Sequence, residues 1–224
     1  MRWIGAALVL SAGLLMGVSG TVAEPANEPG AATTLAPAAP GEAAKVDGFR
    51  SANFGMTEAQ VRQAIHKDFS AVGDKVASEA NPSEKTTVLS LHVSDLIPGT
   101  GKAKLSYIFG YNTKKLIQVN VNWIAEPKSP ASAEGLVGAA NLLRNYFMAG
   151  GFQPDSIIVN RQMPNGYVVF RGTDTRSHMV MLVLSGTTAT PESEREKAAP
   201  IAMQLSYILD PEHPDVYQVP KGQF

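Results

Sequence analysis

The sequence contains no cysteine. This excludes disulfides, thiolate metal sites and cysteine nucleophiles, and also a lipoprotein-type anchor, which needs a cysteine after the signal. An excess of charge of one sign is also absent, since 19 Lys and Arg residues stand against 20 Asp and Glu residues. Without a basic excess or a long Lys/Arg run, a nucleic-acid partner is not expected.

Long apolar runs are absent outside the N-terminal region. There, Arg2 precedes the apolar residues 4–18 and the small residues around Ala23, a pattern typical of a secretory signal peptide. The run is shorter than the ~20 residues that span a bilayer, which favours cleavage over retention as an anchor. We predict a signal peptide over residues 1–23, a periplasmic or secreted protein, and no transmembrane segment after cleavage.

Residues 24–47 are rich in Pro and Ala and poor in large apolar side chains, which predicts a disordered linker. Residues 54–69 then carry the pattern of an amphipathic helix. Thr57 and Gln60 have the spacing of a capping box, and Met56 and Val61 that of a hydrophobic staple. The apolar stripe expected to face the core consists of Val61, Ala64, Ile65 and Phe69.

Three alternating segments follow the helix, at 86–94, 104–111 and 116–123, and short turns join the last two. Alternation of apolar and polar residues predicts an antiparallel meander with one apolar face. Together with the helix it forms a first unit over residues 48–126.

A similar pattern occupies residues 127–210. A helix is predicted from Ser129 as N-cap, with Pro130 at N1, to Gly150-Gly151, and its apolar stripe consists of Leu136, Ala140, Leu143 and Phe147. Strands are predicted at 156–162, 167–171, 178–185 and 201–210, and Asn165-Gly166 predicts a hairpin between the first two. Residues 211–224 are expected to form a loosely attached tail.

These elements predict an α+β fold with two layers, in which two helices pack on an antiparallel meander sheet. The repeated order of helix and strands suggests a tandem duplication. The alternative is one continuous antiparallel sheet with both helices on one face.

Motifs of catalysis and metal binding are not found. The histidines His66, His92, His178 and His213 lack metal-ligand spacing, and no G-x-S-x-G elbow occurs. The segment 99–102 imitates a phosphate loop, but Leu96 and Ala103 stand where Gly and Ser/Thr are needed. We therefore assign no catalytic residue, cofactor site or metal site. Five carboxylates near turns are expected to cap those turns: Asp74, Glu79, Asp95, Asp155 and Asp174.

One candidate surface remains on the polar side of the first meander. It consists of Ser90, His92, Lys104, Ser106, Gln118, Asn120 and Asn122. Such a surface can hydrogen-bond a peptide, a glycan or a partner strand; the alternative is the solvated side of a two-layer domain. Trp123 and Tyr111 could anchor an interface, but their alternation favours the core.

The segment Phe54-Gly55-Met56-Thr57, followed by Val61, resembles the start of the first helix in the BamE/SmpA-like outer-membrane lipoproteins. Residues 107–109 and 115–121 are similar to two strands of that family, so the resemblance covers about residues 49–124. It implies a helical layer on a small antiparallel sheet, a fold shared with tandem-repeat periplasmic inhibitors of β-lactamase. The absent cysteine and the absent Gly-x-Pro after the helix limit the implication to the fold.

The leading functional hypothesis is an exported, non-enzymatic binding or envelope-assembly module that presents a sheet surface to an envelope protein or peptide. The alternatives are a periplasmic hydrolase that uses scattered carboxylates and a carrier of a small apolar ligand.

Overall fold

A computed structural model describes residues 42–71, 73–126, 132–186, 201–220 and 222. The predicted signal peptide and most of the predicted linker therefore lie outside the described residues, as does the acidic and basic loop 187–200. Neither helix in the described part is long and apolar enough to cross a membrane.

The described residues contain two α-helices, and both begin at a side-chain cap. Helix α1 spans Glu58–Phe69; the Thr57 side chain accepts from the Gln60 amide and the Gln60 side chain accepts from the Thr57 amide, so the predicted capping box is confirmed. Helix α2 spans Ala133–Met148, with Ser132 as N-cap. The predicted N-cap was wrong by three residues, and Ser129 and Pro130 lie outside the described residues.

Within the described ranges, ten strands accompany the helices. They are β1 (Gly48–Phe49), β2 (Ala52–Asn53), β3 (Ala77–Asn81), β4 (Thr86–Ser94), β5 (Lys102–Phe109), β6 (Leu116–Ile124), β7 (Ile158–Met163), β8 (Gly166–Thr173), β9 (Met179–Ser185) and β10 (Ala202–Ile208). Strands β1 and β2 form a small hairpin of their own. Strand β3 is missing from the sequence prediction, because its residues are mostly exposed and show no apolar alternation.

The other eight strands form one antiparallel sheet in the order β3-β4-β5-β6-β10-β9-β8-β7. Four strands follow each helix along the chain, and the last strand of each set, β6 and β10, meet at the centre of the sheet. The hairpin predicted at Asn165-Gly166 is confirmed, since Met163 pairs with Gly166 across it. The fold is therefore α+β and mainly β.

The core lies against one face of this sheet. In its central row, Leu91, Leu105, Val121, Leu205 and Leu182 pair across five strands, and all five are buried. The predicted stripe of α2 is buried in the same cluster, as are three of the four predicted core residues of α1; the fourth, Phe69, is half-buried against it. Helices and sheet thus share one hydrophobic core.

The chain after β10 is held more firmly than predicted. The Asp215 carboxylate accepts from the backbone amides and side chains of Asn112 and Thr113, at 2.7–2.9 Å, in the turn between β5 and β6. The Tyr111 amide donates to Asp215 O, and the Tyr111 and Tyr217 rings meet edge to face at 5.6 Å. Tyr111 therefore holds the tail at this turn and is not part of the core, whereas Trp123 is fully buried as predicted.

Candidate functional site: the open face of the sheet

The residues that alternate with the core residues form the second face of the sheet, called the open face below. Register places all seven residues of the predicted polar surface on it: Ser90, His92, Lys104, Ser106, Gln118, Asn120 and Asn122. The central pairing of β6 with β10 extends this surface by Gln204, opposite Asn122, and by Ser206, opposite Asn120. Sequence alternation could assign these two residues to a polar strand face, but it could not join that strand to β6.

Exposure differs sharply between the two faces. On β5, Leu105 and Tyr107 are buried, whereas Ser106 between them is half-buried and Lys104 is exposed. On β6, Val119 and Val121 are buried, whereas Asn120 and its polar neighbours are half-buried. In the described part of the chain, the open face is thus more accessible to solvent than the core face, except at Ser90 and Ser206, which are buried.

The half of the open face built from β4, β5, β6 and β10 is rich in amides and hydroxyls. Its side chains are partly ordered by each other, since Gln118 Nε2 donates to Asn120 Oδ1 at 2.9 Å and Gln204 Nε2 donates to Ser206 Oγ at 3.0 Å. Each contact uses one N–H donor of a glutamine, and further donors and acceptors remain on Gln118, Asn120 and Gln204. This half can therefore hydrogen-bond a polar partner without first breaking its own contacts.

The half built from β9 and β8 is apolar. Met181 and Val183 on β9 stand on the open face, and Val168 lies beside Val183 on β8. Arg171 lies opposite Met181, and its Nε donates to the Met179 sulfur at 3.2 Å. An apolar patch bordered by an arginine is a composition enriched at protein interfaces.

Cations dominate the charge of the open face. Its strand positions hold Lys102, Lys104, Arg161 and Arg171, against the single carboxylate of Glu79 on the edge strand β3. This bias contrasts with the near-zero net charge of the whole chain. The potential over the face therefore favours a partner with carboxylates.

The five carboxylates predicted near turns lie on different elements of the described structure. Glu79 is exposed on β3, Asp95 is exposed at the end of β4, and Asp155 is exposed in the short 3₁₀ turn Pro154–Ser156. Asp74 lies in another such turn, Gly73–Lys75, and its side chain is outside the described part. Among the described residues, no three His, Asp or Glu side chains gather as a metal site.

Asp174 is the exception in burial, since its side chain is fully inaccessible. Its carboxylate accepts from the amides of Val46, Arg176 and His178 at 2.8–3.0 Å, and from the Arg176 guanidinium at 2.7 Å. Burial raises the pKa of Asp174, but these hydrogen bonds lower the pKa by more than burial raises it. The pKa of Asp174 therefore lies below the ordinary value. The group is therefore ionised at neutral pH, with both oxygens occupied.

This network, the Asp174 clamp, fastens the segment before β1 to the turn between β8 and β9. The His178 Nδ1 lies 2.8 Å from Val46 O, and Arg176 reaches Asp47 at 2.7 Å. A groove of about 410 Å³ opens beside it, lined in part by Phe54 and His178. Because both oxygens of the carboxylate are hydrogen-bonded and the His178 Nδ1 lies against a carbonyl, the arrangement fixes the segment before β1 to the turn between β8 and β9.

The remaining histidines are dispersed. His66 is exposed on α1, His92 is exposed on the open face, and His213 is exposed in the tail.

No family model, curated protein or solved structure matches this chain.

Proposed function

We propose that the chain is an exported, non-enzymatic binding module that presents the open face of its sheet to a protein partner of the cell envelope. The observation that carries the proposal is the composition of that face, in which an amide-rich half adjoins an apolar half under a cationic bias. The sequence pattern of a signal peptide supports export, and the absence of cysteine is compatible with an exported domain of this size.

The dimensions of the face suit a protein partner. Eight strands at ~4.8 Å spacing extend over ~34 Å, and strands of this length extend over ~20 Å, which together give ~700 Å² of flat surface. A standard interface buries about 800 Å² on each partner. The face is thus comparable with one side of a specific complex.

We further infer a two-layer arrangement of tandem origin, similar to the helix-and-sheet units of the BamE/SmpA-like family. The symmetric strand order supports this inference, because each helix is followed by four strands and the two sets meet through their last strands. A duplicated unit would also account for the single wide sheet, since joining the sets through β6 and β10 removes two free edges.

The alternative of a hydrolase using scattered carboxylates is less well supported. Of the four predicted carboxylates whose side chains the structure describes, Asp174 is the buried one, and its hydrogen bonds hold it ionised and occupied. The exposed ones, Glu79, Asp95 and Asp155, occupy separate strands and turns.

The test compares two apolar-to-Asp variants of the mature chain, beginning at Glu24, in a pull-down from solubilised envelope fractions. Met181→Asp places a carboxylate in the apolar half of the open face, whereas Leu142→Asp places one on α2, where Leu142 is already exposed. We expect a saturable protein partner that Leu142→Asp retains and Met181→Asp loses, with thermal unfolding verifying that both variants fold. Capture of no protein, or equal capture by both folded variants, would contradict the proposal.

A further inference from the structure

Strand β4 is longer than the strand that covers its outer edge. Strand β3 pairs with β4 from Thr86 to Ser90 only, whereas β4 continues to Ser94. Among the described residues, no strand pairs with residues 91–94 on that side. These residues remain bonded to β5 on the other side, so the edge is held straight.

The hydrogen-bond pattern shows which backbone groups point outward. The Asp95 amide donates to Gly101 O at 2.9 Å, which makes that pair the first bonded pair of the β4–β5 hairpin. In an antiparallel ladder the direction of the backbone groups alternates, so Val93 and Leu91 also point toward β5. The N–H and C=O groups of His92 and Ser94 therefore point away from β5, toward the open edge.

A groove of about 650 Å³ lies along this edge. One side is formed by residues 91–94. The other is formed by Phe69, the last residue of α1, and by Ala71 and Lys75 beyond it. Leu91 and Val93 present apolar side chains to it, and the ionisable side chains of its lining are Lys75 and His92. The groove thus combines free backbone groups, an apolar floor and cationic or neutral rims.

The two outer edges of the sheet differ from this one. Strand β3 has five residues and carries Glu79, and strand β7 is irregular at Asn160, which has a left-handed φ of 52° and is skipped in the pairing with β8. Short length, charge and bulges are the devices by which proteins block edge pairing. The β4 edge carries none of them between residues 91 and 94.

We propose that this groove binds an extended acidic peptide, which adds to β4 as an antiparallel strand. The peptide ends with a Glu or Asp opposite His92 and within reach of Lys75, because Ala77 of β3 already occupies the position opposite Ser90. The acidic residue exchanges two backbone hydrogen bonds with His92, and the residue two positions before it exchanges two with Ser94. The β-branched apolar residue between them points into the groove with Val93. This site uses the outer edge of β4 at the border of the open face, and it does not rest on the function proposed above.

The first experiment uses the acetylated and amidated peptide TVTVE, titrated into the mature chain while amide signals are followed by NMR. We expect saturable shifts of the His92 and Ser94 amides. N-methylation of the glutamate amide removes the donor that faces His92 and is expected to weaken binding about tenfold. N-methylation of the first valine amide, which points away from β4, leaves binding unchanged. Equal binding of both methylated peptides, or no saturable shift, would overturn the proposal.

Variants of the protein test the same geometry from the other side. Ser94→Pro removes an outward N–H without touching the β5 ladder and is expected to abolish the peptide-induced shifts, whereas Ser94→Thr keeps them. Lys75→Glu is expected to reverse the preference, so that TVTVK binds better than TVTVE. Met181→Asp on the open face leaves peptide binding unchanged. Binding that survives Ser94→Pro in a folded chain would refute edge pairing.

Discussion

Removal of the buried charge of Asp174 provides a direct test of how the N-terminal segment is attached. In Asp174→Asn the shape is kept, but an NH₂ group replaces one oxygen. If that group stands at Oδ2, it faces the Val46 amide and the Arg176 guanidinium, both of which are donors. The Val46 amide, in a residue 3% exposed, is then buried without an acceptor.

The cost follows from these two losses. An unsatisfied buried amide costs about 1–3 kcal/mol, and a hydrogen bond to a charged group contributes about 1.5–3 kcal/mol. Arg176 is half-exposed and keeps its contact with Asp47, so its own loss falls at the low end. We expect the free energy of unfolding to fall by about 3 kcal/mol, with a decrease in Tm of about 8 °C.

Urea unfolding monitored by circular dichroism measures this cost, with Asp155→Asn as the control because Asp155 is exposed. Since the folded pKa of Asp174 lies below its ordinary value, its contribution is complete above about pH 4 and is lost as the pH falls through the folded pKa. The difference between wild type and Asp174→Asn must therefore shrink in acid. Equal stability of the two variants at pH 7, or a difference that persists in strong acid, would refute this account.

Three further substitutions have defined outcomes. Asp215→Asn is expected to lower the free energy of unfolding in urea by about 1 kcal/mol at pH 7. Burial raises the pKa of Asp215, but hydrogen bonds from Thr113 and Asn112 lower it to about 2. The difference between Asp215→Asn and wild type therefore disappears as the pH falls from about 4 to about 2. Tyr107→Phe removes a buried hydroxyl without a partner among the described residues. It is expected to change the free energy of unfolding, measured in urea, by less than about 1 kcal/mol. Thr57→Ala removes the cap of α1 and is expected to cost about 1 kcal/mol, measured by thermal unfolding.

Local elements could be predicted from the sequence because their signals are local. The capping box of α1 depends on two residues three positions apart, and the hairpin at Asn165-Gly166 depends on two adjacent ones. The alternation of β5 and β6 assigned the polar surface to one face, and the register places it there. In each case the residues that carry the signal also make the contact.

The missing parts depend on distant residues. Strand β3 pairs through its backbone with exposed side chains, so it leaves no apolar period to read. The pairing of β6 with β10 joins residues about 80 positions apart. No short turn connects these two strands, so the local sequence does not predict that they pair. The cap of α2 was misplaced because Ser129 with Pro130 resembles a helix start as closely as Ser132 does.

The two carboxylate networks suggest how a chain without cysteine attaches the segments before β1 and after β10 to the sheet. Asp174 joins residues 128 positions apart, and Asp215 joins residues up to 103 positions apart, which are spans that a disulfide closes in many exported domains. Each carboxylate accepts from several backbone amides of a turn, so the turn and the distant segment are ordered by the same group. Unlike a disulfide, such a tie is lost on protonation. Residues 42–47 and 214–217 are therefore expected to be released by acid and to be unaffected by reductants, which hydrogen exchange of these two segments can measure.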